Sequence, residues 1–201
     1  MQVDRFPERF APEPGAEPLL LTPEVLGDAR GSFFEAWNRR RFAEALGLEP
    51  EAAPVFDQDN QSHSVRGVLR GLHYQLPPHP QGKLVRCLVG EIFDVAVDLR
   101  RSSPSFGRWA GVRLSAENHR QLWVPAGFGH GFLTLSPVAE VLYKVSGFWS
   151  RPCERSLRWD DPGLAIAWPL EALEGTPPIL SPKDAGAPAL SELLERGDVF
   201  P

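Results

Sequence analysis

Cysteine is scarce in this 201-residue sequence, and the two cysteines that occur form no recognisable motif. Neither Cys87 nor Cys153 belongs to a CxxC or Cys/His pattern, which argues against a thiolate metal site or a redox centre. Cys87 lies within an apolar segment, where a thiol usually behaves as a small hydrophobic side chain. We therefore expect both cysteines to be structural.

Long apolar runs, a leader-like N-terminus and clustered basic charge are also missing. No apolar run approaches the roughly 18 residues that a membrane span needs, and residues 1–17 lack a basic region followed by an apolar one. The formal net charge is only -5 and no block of Lys or Arg occurs, which argues against broad electrostatic binding to nucleic acid but leaves a small anionic ligand open. We expect no nucleic-acid or membrane partner, a cytoplasmic location, and one domain spanning residues 1–201.

Short strand signals fill the middle of the chain, separated by Gly and Pro. No long helical pattern lies between them to cross over, so the sequence indicates an antiparallel sandwich or barrel rather than a parallel sheet, and we predict an all-β jelly roll. The segment Val89-Gly90-Glu91 is typical of a hairpin turn between two of these strands. The predicted strands are 18–22, 32–37, 55–60, 68–74, 83–88, 92–99, 106–114, 121–125, 131–135 and 138–145.

Two short helices are predicted at the periphery. Asn38 is a suitable N-cap for a helix over 39–46, which Gly47 can end. A last helix is predicted over 187–196. Residues 1–17, rich in Pro and Glu, are interpreted as an N-terminal arm, and the Pro-rich segment after Trp149 as a wrap over the barrel.

Three polar residues on neighbouring predicted strands could form a reaction site. Arg70, His73 and Lys83 would place an anion-binding group, a base and a cation on one rigid framework. The ordinary alternative for His73 is a satisfied core or surface histidine, which is the commoner role of a single histidine in a strand.

A second motif, PAGFGHG from Pro125 to Gly131, resembles the second motif of cupin barrels and contains His130. The first cupin motif usually offers two histidines, but the matching place here reads His73-Tyr74-Gln75, so an amide replaces one imidazole. The remaining ligands are too few for zinc or a non-haem iron triad, and we predict no metal and no cofactor. The glycines precede a predicted strand, which excludes a phosphate-binding loop at a helix start.

Several segments together resemble the dTDP-4-dehydrorhamnose 3,5-epimerases, in the same order and at suitable spacing. The resemblance covers roughly residues 18 to 188. It implies a metal-free cupin-type jelly roll, a homodimer that exchanges strands, and a dTDP-linked 4-keto-6-deoxyhexose as substrate. The matching segments are DARGSFFE, QDNQS, LRGLHYQ, QGKLVRCLVGEIFDVAVDLRRSSPSFG, LSAENHRQLWVPAGFGHGF, VLYK and LSPKD.

The resemblance also implies roles for individual residues. A hydrogen beside a ketone is removed by a base while the enolate oxygen is stabilised, and inversion needs a proton from the opposite face. His73 is the expected base and Asp184 its orienting partner, Lys83 the group that stabilises the enolate, and Tyr143 the acid. The implied substrate-binding residues are Arg30, Phe33, Glu35, Gln58, Asn60, Arg70, His130, Trp149 and Lys183.

Without the family resemblance, some of these positions have simpler interpretations. Tyr143 could be a core aromatic with its hydroxyl at the rim, and Arg30 and Glu35 could belong to a solvated turn. In addition, Phe148 and Trp149 stand where the family commonly has two tyrosines, so a phenolic hydroxyl is lost while aromatic stacking on the nucleotide is kept.

The function that we predict is epimerisation of dTDP-4-dehydro-6-deoxy-D-glucose at carbons 3 and 5, within dTDP-L-rhamnose synthesis. Enzymatic alternatives are an epimerase acting at one centre and a ketoisomerase acting on a related sugar. A different class is a non-catalytic cupin that binds a nucleotide sugar. Retention of all four predicted catalytic residues favours double epimerisation.

Overall fold

A computed structural model describes all 201 residues and consists mainly of antiparallel strands. Every pairing between its named strands is antiparallel. The strands are β1 (Gln2–Asp4), β2 (Leu19–Thr22), β3 (Leu26–Asp28), β4 (Gly31–Phe33), β5 (Phe56–Val65), β6 (Leu69–Gln75), β7 (Lys83–Val89), β8 (Glu91–Asp98), β9 (Trp109–Ser115), β10 (Gln121–Val124), β11 (Phe128–Thr134), β12 (Val138–Ser146) and β13 (Glu154–Ser156). The helices are α1 (Arg39–Leu46), α2 (Pro182–Ala185) and α3 (Leu190–Arg196), with one 3₁₀ turn over Leu170–Leu173.

Two large sheets form a sandwich. One has six strands in the order β1-β2-β10-β7-β12-β5, and the other has five in the order β13-β6-β11-β8-β9. Apolar side chains from both sheets, among them Val85, Ile92 and Phe132, form one buried cluster between them. The alternation of each strand puts these residues on the inner face and the next residues on the outer face.

The outer face of each sheet is covered as well. Helix α1 packs Phe42 and Leu46 against Trp123 of the six-stranded sheet. The C-terminal segment places Trp168, Leu193 and other apolar residues on the outer face of the five-stranded sheet. None of the helices could span a membrane, since the longest, α1, has eight residues.

The bounds of α1 agree with the sequence prediction because both of its ends are set by local signals. The Asn38 side chain accepts hydrogen bonds from the backbone N–H groups of Arg40 and Arg41. Gly47 adopts a left-handed conformation with φ of 70° and closes the helix.

The predicted hairpin at Gly90 is wrong. Strands β7 and β8 belong to different sheets, so this turn carries the chain across the sandwich. Gly90 has φ of +74°, and a Cβ there would lie 2.0 Å from the Val138 carbonyl oxygen. A tight turn looks the same in sequence whether the strands pair or separate, and the buried faces of both strands decide the outcome.

Other differences lie at element ends. The predicted arm contains β1, which pairs with β2, and Phe10, which is buried between the sheets. The predicted strand 32–37 ends at Phe33, and the last helix begins at Leu190 rather than at 187. Strand β11 begins at Phe128, so the second part of the glycine-rich motif, from Phe128 to Gly131, lies inside a strand instead of before it.

Glycine is required in that strand because β6 and β11 approach closely. A Cβ on Gly131 would lie 2.6 Å from the Arg70 carbonyl oxygen, and a Cβ on Gly71 would lie 2.6 Å from the Gly131 Cα. The glycines therefore serve the packing of two strands, one of which carries His73 and the other His130. Both cysteines are free and buried, as expected.

Candidate active site

A group of polar side chains interrupts the apolar inner faces of the two sheets. Lys83 precedes the inward-facing Val85 on β7, and His130 alternates with inward-facing Phe128 and Phe132 on β11. Because residues two apart share a face of a strand, Lys83 and His130 face the space between the sheets. His73 is directly opposite His130 in the pairing of β6 with β11.

His73 and Asp184 form a closely held pair. His73 Nε2 lies 2.6 Å from Asp184 Oδ1, and the Ser181 hydroxyl donates to Asp184 Oδ2 at 2.8 Å. Asp184 is nearly fully buried, whereas the His73 side chain is 30% exposed. Burial alone raises the pKa of Asp184, but the bonds from His73 and Ser181 outweigh it and hold that pKa below its ordinary value. The buried carboxylate therefore stays ionised beside the imidazole.

Helix α2 brings Asp184 to this position. Ser181 caps the helix by accepting a hydrogen bond from the Asp184 backbone N–H, and Pro182 occupies the first turn. Nε2 of His73 is hydrogen-bonded to the Asp184 carboxylate, while Nδ1 has no hydrogen-bond partner in the chain. Nδ1 is thus the ring nitrogen that can accept a proton from a bound molecule.

Lys83 is a buried cation next to this pair. Its Nζ donates to the His73 carbonyl oxygen at 3.1 Å, and the residue is 9% exposed. Burial lowers the pKa of Lys83 to about 8, although the charges of Asp94 and Glu154 act in the opposite direction. The ammonium form therefore predominates at pH 7 and is lost with a small rise in pH.

A second His–Asp pair lies deeper between the sheets. His130 Nε2 is 2.8 Å from Asp94 Oδ1, and Asp94 is fully buried with no hydrogen bond to its Oδ2. Burial lowers the pKa of His130 despite the nearby Asp94 charge, so the imidazole is neutral at pH 7. A neutral, oriented imidazole can act as a hydrogen-bonding contact.

Tyr143 lies on the opposite sheet from His73. It is on β12 opposite Asn60 of β5, and its ring centroid is 6.5 Å from that of His130. Burial raises the pKa of Tyr143, and the Arg70 charge only partly offsets this effect, so the phenol stays protonated at neutral pH. The site thus has a base on one sheet, a protonated phenol on the other, and an ammonium group beside the base.

Residues 15–192 match the family model described as dTDP-4-dehydrorhamnose 3,5-epimerase. The chain belongs to the dTDP-4-dehydrorhamnose 3,5-epimerase family. It is 55% identical over 184 residues to an enzyme of that name from Pseudomonas aeruginosa, covering 91% of this chain and 94% of the relative. The predicted family and the predicted enzyme class, an epimerase, are therefore confirmed.

Solved structures of similar chains confirm the cupin-type jelly roll. A dTDP-6-deoxy-D-glucose-3,5-epimerase from Legionella pneumophila, in complex with dTDP-4-keto-L-rhamnose, is 47% identical with a TM-score of 0.83, covering 91% of this chain and 92% of that one. A 3'-monoepimerase from Streptomyces bikiniensis, in complex with dTDP-quinovose, is 35% identical with a TM-score of 0.82, covering 92% and 90%.

Two residues that the family resemblance assigns to substrate binding lie near Tyr143: Asn60 pairs with it across the strands, and the charge of Arg70 acts on its phenol. Arg70 donates to Ser64 Oγ at 3.1 Å and to the His63 carbonyl oxygen at 3.2 Å. Gln58 donates to Asn60 at 2.7 Å and accepts from the Trp149 backbone N–H at 3.1 Å.

Three predicted binding residues lie elsewhere in the chain. Arg30 and Phe33 belong to the β3–β4 hairpin, which joins neither large sheet, and Arg30 pairs there with Asp28. Glu35 follows the hairpin and binds Asn38 and Arg41. None of the three makes a hydrogen bond or ion pair with His73, Lys83, His130 or Tyr143.

Sequence reasoning missed two charged residues of this site. Glu154, on β13, binds Lys183 Nζ at 2.9 Å; burial raises its pKa, but Lys183 and other neighbours outweigh that effect and hold it below its ordinary value. Strand β13 has only three residues and gives no periodic signal. Asp94 could have been noticed as a carboxylate within the apolar run IFDVAVD, since a charge in a buried strand needs a partner.

No group of three His, Cys, Asp or Glu side chains is arranged to hold a metal ion. Gln75, at the place of the second cupin imidazole, instead hydrogen-bonds backbone groups of the chain. Activity without a metal stays a prediction.

Proposed function

We propose that the chain epimerises dTDP-4-dehydro-6-deoxy-D-glucose at carbons 3 and 5 and forms dTDP-4-dehydro-L-rhamnose for dTDP-L-rhamnose synthesis. The observation that carries this proposal is the placement of the His73–Asp184 pair and the protonated Tyr143 on opposite sheets. Double inversion needs proton removal on one face of the sugar and proton return on the other, and these groups supply both.

In the proposed mechanism, His73 accepts the proton from the carbon beside the ketone at Nδ1. Asp184 stabilises the resulting imidazolium through Nε2–H, as a buried carboxylate does for a catalytic histidine. The electron pair of the broken C–H bond moves to the ketone oxygen, where the Lys83 ammonium stabilises the enolate. Tyr143 then donates its phenolic proton to the opposite face of the carbon. Before the next inversion, the tyrosinate takes a proton from water and the His73 imidazolium gives up its Nδ1 proton to water.

Binding a nucleoside diphosphate requires cations for its phosphates and a planar surface for its base. We assign Arg70 and Lys183 to the phosphate oxygens, because an Arg fork and a Lys ammonium both bind phosphate well. Trp149 is 54% exposed and offers an indole face to the base. Gln58, Asn60 and His130 supply hydrogen bonds to the sugar or nucleotide.

Arg30, Phe33 and Glu35 are assigned to the substrate of a second subunit in a homodimer. Their hairpin pairs with no sheet of its own chain, and it exposes 58% of Leu26 and 70% of Phe33. Such an apolar hairpin is suited to burial against a partner, which supports strand exchange. The single domain is also proposed, on the ground that both termini pack on the same sandwich; the cytoplasmic location stays a prediction.

Proton NMR of the enzyme with the ketosugar in deuterium oxide tests the reaction. We expect deuterium at carbons 3 and 5 and the doubly inverted product. Exchange without inversion, or no exchange at either carbon, would reject the proposal.

A single-centre epimerase is the second candidate. The support for it is the 35% identity to the Streptomyces bikiniensis 3'-monoepimerase, which is lower than the 47% identity to the Legionella pneumophila 3,5-epimerase. In the same NMR experiment it would exchange and invert at carbon 3 while the configuration at carbon 5 is retained.

A further inference from the structure

The segment from Gly147 to Ser150, which we call the aromatic platform, crosses between the two sheets at the active-site end. It joins β12 of the six-stranded sheet to the segment leading to β13 of the five-stranded sheet. Phe148 and Trp149 are 68% and 54% exposed on it, so both rings face outward. An exposed aromatic pair on a connecting segment has little apolar packing of its own to fix its position.

Side chains hold the platform backbone instead. From the six-stranded sheet, Asp57 accepts from the Gly147 N–H at 2.8 Å and Gln58 accepts from the Trp149 N–H at 3.1 Å. Gln81, just before β7, donates to the Gly147 carbonyl oxygen at 3.1 Å. Three separate side chains thus fix one edge of the platform.

Gln75 holds the platform from the five-stranded sheet. Its Oε1 accepts from the Ser150 N–H at 2.7 Å, and its Nε2 donates to the carbonyl oxygens of His79 at 2.7 Å and Phe148 at 3.4 Å. It is 3% exposed and lies two residues after His73 on β6, so the two side chains share a face of the strand. A primary amide can accept from an N–H and donate to carbonyls at once, which neither a carboxylate nor a hydrocarbon can do.

We propose that Gln75 is a positioning residue that sets the aromatic platform for the planar base of the bound nucleotide. This inference rests on the proposed function, because it takes the nucleotide as the ligand. A platform held from both sheets presents the Trp149 face in one place, and a ligand then loses less freedom on binding. Gln75 touches no reacting atom, so its removal should affect binding and leave proton transfer in place.

Gln75→Leu and Trp149→Ala, alone and together, test this role. For Gln75→Leu we expect the Kd for dTDP, measured by titration calorimetry, and the KM for the ketosugar to rise about tenfold, with kcat within about twofold of the parent. Trp149→Ala should raise Kd similarly. Because Gln75 acts through the platform, the double variant should bind no more than about twofold worse than Trp149→Ala alone.

Gln61→Leu is the matched control. Gln61 also lies on a strand and donates its amide to Glu140 at 2.9 Å, but it makes no bond to the platform. Its loss should leave Kd unchanged. If Gln75→Leu does not fold by circular dichroism, Gln75→Glu keeps the acceptor for Ser150, removes both donors, and carries the same expectation.

Unchanged Kd in the Gln75 variant would overturn the inference, as would additive losses in the double variant or a fall in kcat with normal binding. A parent enzyme that binds no dTDP would reject the proposed function itself. A parent that binds and turns over normally, beside an unaffected Gln75 variant, would reject only the role of Gln75.

Discussion

At the scale of single residues, the proposed mechanism assigns proton removal and proton return to two separate groups. His73 and Tyr143 lie on different sheets, and each has its own partner or neighbour: Asp184 for the histidine and Arg70 for the phenol. Replacing one group leaves the supports of the other intact. Isotope exchange and product formation can therefore be examined separately.

His73→Ala should abolish deuterium exchange at both carbons, since the proposed mechanism removes both protons through this imidazole. Asp184→Asn keeps the shape but removes the charge that stabilises the imidazolium, and we expect a loss of about 100-fold or more in the exchange rate. His79→Ala is the control, because His79 is an exposed histidine that, unlike His73, has no carboxylate partner. Near-normal turnover of His73→Ala would require a different base.

Tyr143→Phe should leave deprotonation largely intact while product formation falls by about 100-fold or more, because a general acid is lost from the far face. The NMR signature is deuterium entering the sugar without a matching amount of doubly inverted product. Equal loss of exchange and product would mean that Tyr143 mainly shapes the pocket.

The charge of Lys83 should set the upper pH limit of activity. The ammonium form is needed to stabilise an enolate, so activity is present below its pKa and is lost as pH rises through about 8. The charges facing Lys83 are those of Asp94, Glu154 and Lys183, together with neutral His130.

Asp94→Asn removes a negative charge that raises this pKa, so the falling limb of kcat/KM should move to lower pH. Lys144→Met changes an outer lysine that binds Asp59 and should leave the limb where it is. His130→Gln keeps the Asp94 charge and separates its effect from that of the imidazole. If the falling limb of the kcat/KM pH profile does not move in Asp94→Asn, Asp94 does not set the pKa of Lys83.

At the scale of elements, the close contact of β6 and β11 aligns the two histidine strands. Gly131→Ala would place a methyl group 2.6 Å from the Arg70 carbonyl oxygen, which backbone movement must relieve. We expect a destabilisation of about 1–3 kcal/mol, measured by urea unfolding, and reduced activity because His73 and His130 shift.

Gly27→Ala is the control for that change, since a Cβ on Gly27 would lie 3.7 Å from the Gly31 carbonyl oxygen, which is an ordinary contact distance. It should unfold like the parent protein. Equal stability of Gly131→Ala would mean that the two strands can separate without cost.

The same elements show what a single sequence can predict. Helix α1 was predictable to the residue because Asn38 and Gly47 act on their own neighbours. The crossing at Gly90 and the strand β13 were not, because they depend on which sheet each strand joins. Asp184 was identified through the family resemblance, since α2 has only four residues and no periodic pattern could reveal it.

At the scale of the whole molecule, the polar residues of the site come from both large sheets. Sheet β13-β6-β11-β8-β9 carries His73, His130 and Asp94, and the other large sheet carries Lys83 and Tyr143. These side chains come together only when the two sheets pack on each other, and local sequence signals do not predict that packing. His73, Lys83, His130 and Tyr143 could be predicted from the sequence, but the pairing of Asp94 with His130 is visible only in the folded sheets.

The hairpin β3–β4 is the one part of the proposed site that the chain does not bring to the other residues. If two subunits exchange it, sedimentation at micromolar protein should give a dimer, and Phe33→Asp should shift the species toward monomer by placing a charge in an apolar interface. The variant should also bind dTDP more weakly, because Arg30 and Glu35 would no longer reach the partner's site. Ile179→Asp, at a comparably exposed apolar residue outside the hairpin, should change neither property. A monomeric parent with full activity would show instead that the hairpin folds back over its own subunit's site.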